Sequence, residues 1–154
     1  EKFQPVTFDI CDFCEELSYR YADVCSKNGY RLLQESPGER LITADPDMIS
    51  RVLHNLVSNA IAHIGADGTV ILRVKDSEKG VTVEVEDHGT GIDKDELPHV
   101  FQRYYRARQA NGRPGTGLGL SIVRAILVTH GFAFGVRSTP GKGSTFWFTA
   151  PSAQ

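Results

Sequence analysis

Two periodicities share this chain, and their order restricts the fold more than any other feature. Ile49, Val52, Leu53, Leu56, Val57, Ala60, Ile61 and Ile64 recur at helical spacing, so a long helix carries one apolar face. Val81, Val83 and Val85 alternate with Thr82, Glu84 and Glu86, which is the period of a strand with one buried side. Neither element buries its apolar face alone. A helix stripe laid on the apolar side of a sheet satisfies both.

The remaining segments fit that scheme. Residues 6–8 read as a short extended piece. Asp9 or Asp12 can cap a helix to about Asn28, with Gly29 ending it. Residues 30–35 and 41–43 are strand candidates, separated by the turn chemistry of Ser36-Pro37-Gly38-Glu39. Asp45 and Pro46 open the long helix, which is expected to run to about Ile64. Residues 70–76 and 81–87 form a hairpin, and 133–138 and 144–149 a second one. A short helix is expected over 95–101, a basic, glycine-containing loop over 103–114, and a last helix up to His130, stopped by Gly131. No regular βαβ alternation is present. The expected fold class is α+β: a two-layer sandwich with helices on one face of a mixed, mostly antiparallel sheet.

Composition excludes several functions. A net charge of −2 over 154 residues offers no footprint for nucleic acid. No apolar run approaches the length of a bilayer span. Cys11, Cys14 and Cys25 lack a second pair or a His-x-x-x-His partner, so they read as plain thiols of a reducing compartment. The chain opens without methionine and is expected to be a piece of a longer protein.

Three local patterns carry chemistry. Gly115-Thr116-Gly117-Leu118-Gly119-Leu120 places alternating glycines before a helix, where free N–H groups and close backbone approach suit phosphate. Asn55 and Asn59 lie one turn apart on the edge of the apolar stripe. They can be solvated edge positions or a pair of neutral oxygen ligands for Mg²⁺. His63 follows one turn later and reads as a packed edge histidine. Asp87 ends the valine row on its buried side and opens Asp87-His88-Gly89-Thr90-Gly91-Ile92. It either caps its own tight turn or accepts a hydrogen bond from a ligand amine such as that of adenine. Gly141-Lys142-Gly143-Ser144 is not a P-loop, and no protein-kinase H-R-D or D-F-G set is present.

In their order these segments resemble the boxes of the GHKL ATP-binding superfamily. Asn55-Leu56-Val57-Ser58-Asn59-Ala60 resembles the N box, the Asp87 segment the G1 box, and Phe101-Gln102-Arg103-Tyr104-Tyr105-Arg106 the F box of sensor histidine kinases. The 115–120 segment resembles the G2 box, and Gly141-Lys142-Gly143-Ser144-Thr145-Phe146 the final glycine box. The resemblance implies a Bergerat-type α/β sandwich that binds ATP and Mg²⁺. It implies Mg²⁺ on Asn59 with help from Asn55, and the adenine amine on Asp87. Gly89, Gly91 and Ile92, then Gly115, Thr116, Gly117, Leu118, Gly119 and Leu120, with His63 and Thr145, would line the rest of the nucleotide site. Arg106 would face the transferring phosphate, Arg103 less so, and Arg106 and Asn55 are the implied catalytic pair.

ATP-hydrolysing members carry glutamate where Asn55 stands, and an amide cannot take the proton of water. The resemblance therefore implies a histidine kinase whose phosphoacceptor lies on a separate dimerisation domain, acting through a response regulator. Residues 1–8 would be the junction from that domain and 9–152 the catalytic domain. It would be cytoplasmic, in a parent that can be membrane-anchored, and monomeric as a fragment. Ala62 and Ile64 depart from the usual basic and hydroxyl residues of the N box. They keep open the alternative of a degenerate, non-catalytic ATP-sensing module.

Overall fold

A computed structural model describes residues 2–102, 105 and 119–153. Strand β1 (Val6–Asp9) runs straight into helix α1 (Ile10–Asn28), because Asp9 is both the last strand residue and the helix cap. Its carboxylate accepts the Cys11 N–H at 2.9 Å. Gly29, with φ at 69°, closes the helix in the left-handed conformation. Strands β2 (Arg31–Glu35) and β3 (Leu41–Ala44) follow. Helix α2 (Pro46–Ala62) starts with Asp45 accepting the Met48 N–H at 3.1 Å, and it ends slightly short of the expected Ile64.

The two predicted hairpins are present as β4 (Thr69–Ser77) with β5 (Gly80–Asp87), and β6 (Ala133–Thr139) with β7 (Gly143–Ala150). Helix α3 (Gly119–His130) precedes the second. The five-stranded sheet has the order β2-β4-β5-β7-β6, with β2 parallel to β4 and the other neighbours antiparallel. β1 and β3 pair separately as a small antiparallel ribbon. The fold class is as expected, a mostly antiparallel sheet with the helices on one face.

The expected helix over 95–101 is a single 3₁₀ turn, Leu97–His99. Pro98 lacks an N–H, and its ring disfavours the helical conformation at Leu97. The Glu96, His99 and Gln102 N–H groups bond the third residue back, and the Leu97 N–H reaches the fourth, Asp93. Phe101 then packs edge-on against Phe134 and Phe146, which fixes the end of this segment to the sheet.

The core lies between the helix layer and one face of the sheet. Ile49, Val52, Leu53, Leu56 and Val57 of α2 are each at most 2% exposed, against Val81, Val83 and Val85 of β5. Burying five such side chains contributes roughly 10 kcal/mol before entropy. That outweighs the roughly 1 kcal/mol by which Asn55 and Asn59 together disfavour a helix interior. The three cysteines are buried and free, and burial raises all three thiol pKa values.

The opposite face of the sheet carries charge. Glu84 is 1% exposed although it stands on that face. Arg73, Arg137 and Lys75 converge on it at 2.8, 2.8 and 3.0 Å. Burial works to raise the Glu84 pKa, but the three cations overcome it and hold the carboxyl at about 2.

The chain entry is tied to the body. The Gln4 N–H donates to Asp45 at 2.9 Å, and the Asp45 N–H donates to His130 Nε2 at 3.0 Å. His130 donates its Nδ1–H to the Ile126 carbonyl, and Phe3 meets the imidazole edge-on.

Candidate nucleotide site

Helix α2 carries Asn55 and Asn59 on the flank of its buried stripe, both half-buried. Two features of the fold bring other candidates to that flank. At its C-terminal end, the turn after β5 is packed backbone to backbone against the helix exit. A Cβ built on Gly89 would lie 1.9 Å from the His63 carbonyl oxygen, and one on Gly65 would lie 1.8 Å from the His88 carbonyl oxygen. Further along the helix, Gly119 opens α3 beside Asn55; a Cβ there would stand 3.9 Å from Asn55 Oδ1. The strand-end aspartate, the paired asparagines and the last glycine of the 115–120 segment thus share one side of α2.

Asp87 is 2% exposed and stands on the helix side of the sheet, in register with Val70 and Ser144. Its Oδ1 accepts the Gly89 N–H at 2.9 Å, so it does cap its own turn. Burial pushes its carboxyl up to about 6, against the opposing pull of the Gly89 N–H. An acid so placed is ionised at neutral pH, though only by about one unit.

The glycines of this turn allow close backbone approach. Gly89 is needed for the approach of His63, and Gly91, at φ 75°, for the approach of the Thr139 carbonyl. The Gly141 N–H donates to the Thr90 carbonyl at 2.7 Å, and the Ile92 N–H to Ser138 Oγ at 2.8 Å. The turn is held by α2 on one side and by the β6–β7 turn on the other. His63 itself ends α2, and what it sets against the turn is its carbonyl oxygen.

Thr145 is corrected. It pairs with Glu86 and Arg137, so its side chain stands on the charged face of the sheet, away from Asp87. Ser144 is the residue that register places opposite Asp87; it is 6% exposed and shares a 2.8 Å hydrogen bond with Ser138. Period-two counting from the buried Phe146 and Phe148 would have found it in the sequence. Leu120 is half-buried against the core at the start of α3. Arg103, Arg106, Gly115, Thr116, Gly117 and Leu118, and the expected loop over 103–114 apart from Tyr105, lie outside the described residues. Tyr105 donates its hydroxyl to Glu96 at 2.6 Å.

The donor set suits a hard, small cation together with phosphate. Asn55 and Asn59 offer two neutral amide oxygens one turn apart, which leaves most of a Mg²⁺ shell to water and phosphate oxygens.

Residues 44–154 match the family model described as histidine kinase-, DNA gyrase B-, and HSP90-like ATPase, and the chain belongs to that family. Sensor protein IrlS of Burkholderia pseudomallei is 33% identical over 148 residues, which is 95% of this chain and 32% of that protein. The chain therefore spans about a third of the length of this curated relative. The catalytic domain of the histidine kinase ThkA, nucleotide-free, superposes with a TM-score of 0.82 at 28% identity, covering 98% of this chain and 96% of that one. Full-length ShkA in complex with AMPPNP gives a TM-score of 0.86 at 26% identity, covering all of this chain and 32% of that one. Within the family, the chain is a catalytic, ATP-binding domain of the sensor histidine kinase type. Among the described residues no helix is long and apolar enough to cross a membrane.

Proposed function

We propose that this chain binds Mg²⁺·ATP and presents its γ-phosphoryl group to a histidine on a separate dimerisation domain, in two-component signalling. The observation that carries this is the convergence on one side of α2: Asp87 at the turn packed on the helix exit, Asn55 and Asn59 on the helix flank, and Gly119 beside Asn55. Asp87 accepts the exocyclic amine of the base, and Ser144 lines the same side of the sheet. The segment ending at Gly119 takes the phosphates, with N–H groups at the start of α3 facing them. Arg106 meets the transferring phosphate.

Asn59 and Asn55 hold the cation, which, when bound, neutralises phosphate charge and orients the γ-phosphoryl group. Catalysis by this chain is positioning. The acceptor nitrogen attacks the γ-phosphorus, the bond to the bridging oxygen breaks, and ADP leaves with its electron pair. The acceptor's proton goes to a base outside this chain. Asn55 offers no carboxylate to activate water, so ATP is held for that acceptor. The unit that does this is 9–152, with 1–8 as the junction; the parent works in the cytoplasm and passes its phosphoryl group to a response regulator.

Labelled ATP, mixed with this chain with and without its histidine-bearing domain, tests the proposal. Phosphohistidine formed in trans is the expected result. Free phosphate alone would identify an ATPase, and binding without either product a sensing module. Asn59→Ala should remove the Mg²⁺-dependent part of ATP binding. Equal losses with and without Mg²⁺ would exclude the ligand role.

A further inference from the structure

His88, the residue after Asp87, bridges two acids. Its Nδ1 is 2.5 Å from Asp67 Oδ2, and its Nε2 is 2.7 Å from Glu86 Oε2. Both acids are anchored on their other oxygen. Asp67 Oδ1 accepts the Thr69 N–H at 3.1 Å, and Glu86 Oε1 accepts from Arg73 at 3.1 Å. Asp67 belongs to the connection between α2 and β4, the same connection whose Gly65 lies against the His88 carbonyl oxygen. The bridge therefore ties together the two backbone segments that meet beside Asp87.

The chemistry of the bridge depends on one proton. A carboxylate only accepts hydrogen bonds, and a neutral imidazole has one N–H donor and one bare nitrogen. The neutral ring can bond one of these acids and must turn a lone pair toward the other. Only the imidazolium donates to both, through charge-assisted bonds.

We propose that His88 is a positioning residue for the nucleotide base: its doubly protonated ring ties the Asp87–Gly89 turn to Asp67 and Glu86, and nucleotide affinity falls when that proton leaves. The proposal rests on Asp87 as the base-binding residue. The charged groups that bear on His88 are Asp67 from the α2–β4 connection, Glu86 and Asp87 from β5, Arg73 from β4, and Arg31 of β2 through its field at Asp67. His63 ends the packed helix, and Lys142 stands in the β6–β7 turn, whose Gly143 lies against the His88 Cα. The hydrogen bonds to Glu86 and Asp67 raise the His88 pKa above the ordinary histidine value. The tie is therefore complete below the ordinary histidine value and is lost as pH rises through the raised one. Asp87 works in the opposite sense, because it ionises only above about 6. Nucleotide affinity should then be bell-shaped in pH, with a different residue setting each limb.

Two measurements on the same proteins decide it. Calorimetric titration with Mg²⁺·ATP across about pH 5 to 9 compares the parent chain with His88→Asn and Asp67→Asn; the ligand's own titration is common to all three. The parent should lose about fivefold to tenfold in affinity on the alkaline side, the equivalent of one charge-assisted contact. Both variants should keep the acid-side rise and lack the alkaline fall. In parallel, NMR should show the Gly65 and Gly89 amides titrating with the His88 ring in the parent, and not in Asp67→Asn. An alkaline fall of equal size in both variants overturns the proposal. Amides that do not follow the ring overturn the tie while leaving the nucleotide assignment standing. A parent chain that binds no nucleotide at any pH, with amides that do follow the ring, overturns the nucleotide assignment and with it the role given to the tie.

Discussion

Replacing Asp87 with asparagine should remove a pH-dependent penalty on the fold while abolishing nucleotide binding. Asp87 is 2% exposed and its carboxyl is raised from 3.8 to about 6, with burial as the main cause. Between those two values the folded chain holds a proton that the unfolded chain has released, so stability falls as pH rises across that window and is level above it. About two pKa units at 1.36 kcal/mol each give a penalty of roughly 3 kcal/mol at neutral pH. Asparagine cannot ionise and escapes it. Whatever the amide costs by presenting a donor where a carboxylate stood is the same at every pH. Urea unfolding of parent and variant at about pH 3.5 and pH 7.5 cancels that cost. The variant's relative stability should improve by roughly 3 kcal/mol between the two. Its affinity for ATP should be lost, since one acceptor oxygen facing the base amine has become a donor. An equal stability difference at both pH values would refute the claim that burial destabilises this carboxylate. Undiminished ATP affinity would refute the base contact.

Other perturbations test the surrounding frame. Gly89→Ala should cost about 3 kcal/mol or more, since its Cβ would stand 1.9 Å from the His63 carbonyl, and thermal unfolding would read it. Glu84→Gln should lower stability by about 3 kcal/mol at neutral pH, because three cations lose their buried counter-charge. The parent keeps that contribution above pH 4.5 and loses it as pH falls through about 2, and an acid titration followed by circular dichroism should find the limb flattened in the variant. His130→Ala leaves the Asp45 N–H without its acceptor and should cost about 1–3 kcal/mol, with faster hydrogen exchange at the Gln4 amide.

The element order, the caps and the layer arrangement were legible in the sequence because each rests on local chemistry. Asp9 and Asp45 cap helices through bonds spanning two or three residues, and Gly29 ends one by adopting positive φ. The stripe of α2 and the valine row of β5 are periodic, so the faces they bury follow from the spacing alone. The side of the sheet on which Asp87 stands was legible for the same reason. Thr145 went to the wrong face because it was placed by motif, where counting from Phe146 would have put Ser144 opposite Asp87.

Only the tertiary structure decided what meets across the chain. Gly65 and Gly89 look alike in sequence to any turn glycine, yet each is required by a carbonyl more than twenty residues away. Glu84 follows the alternation of a solvent-facing strand residue, yet it is buried, because strands β4 and β6 bring Arg73, Lys75 and Arg137 over it. The bridge from His88 to Asp67 joins two loops that share no periodicity. Local spacing determines which face of an element is apolar. Which polar groups end up paired depends on register and packing between elements distant in the chain, and these are settled only when the layers close.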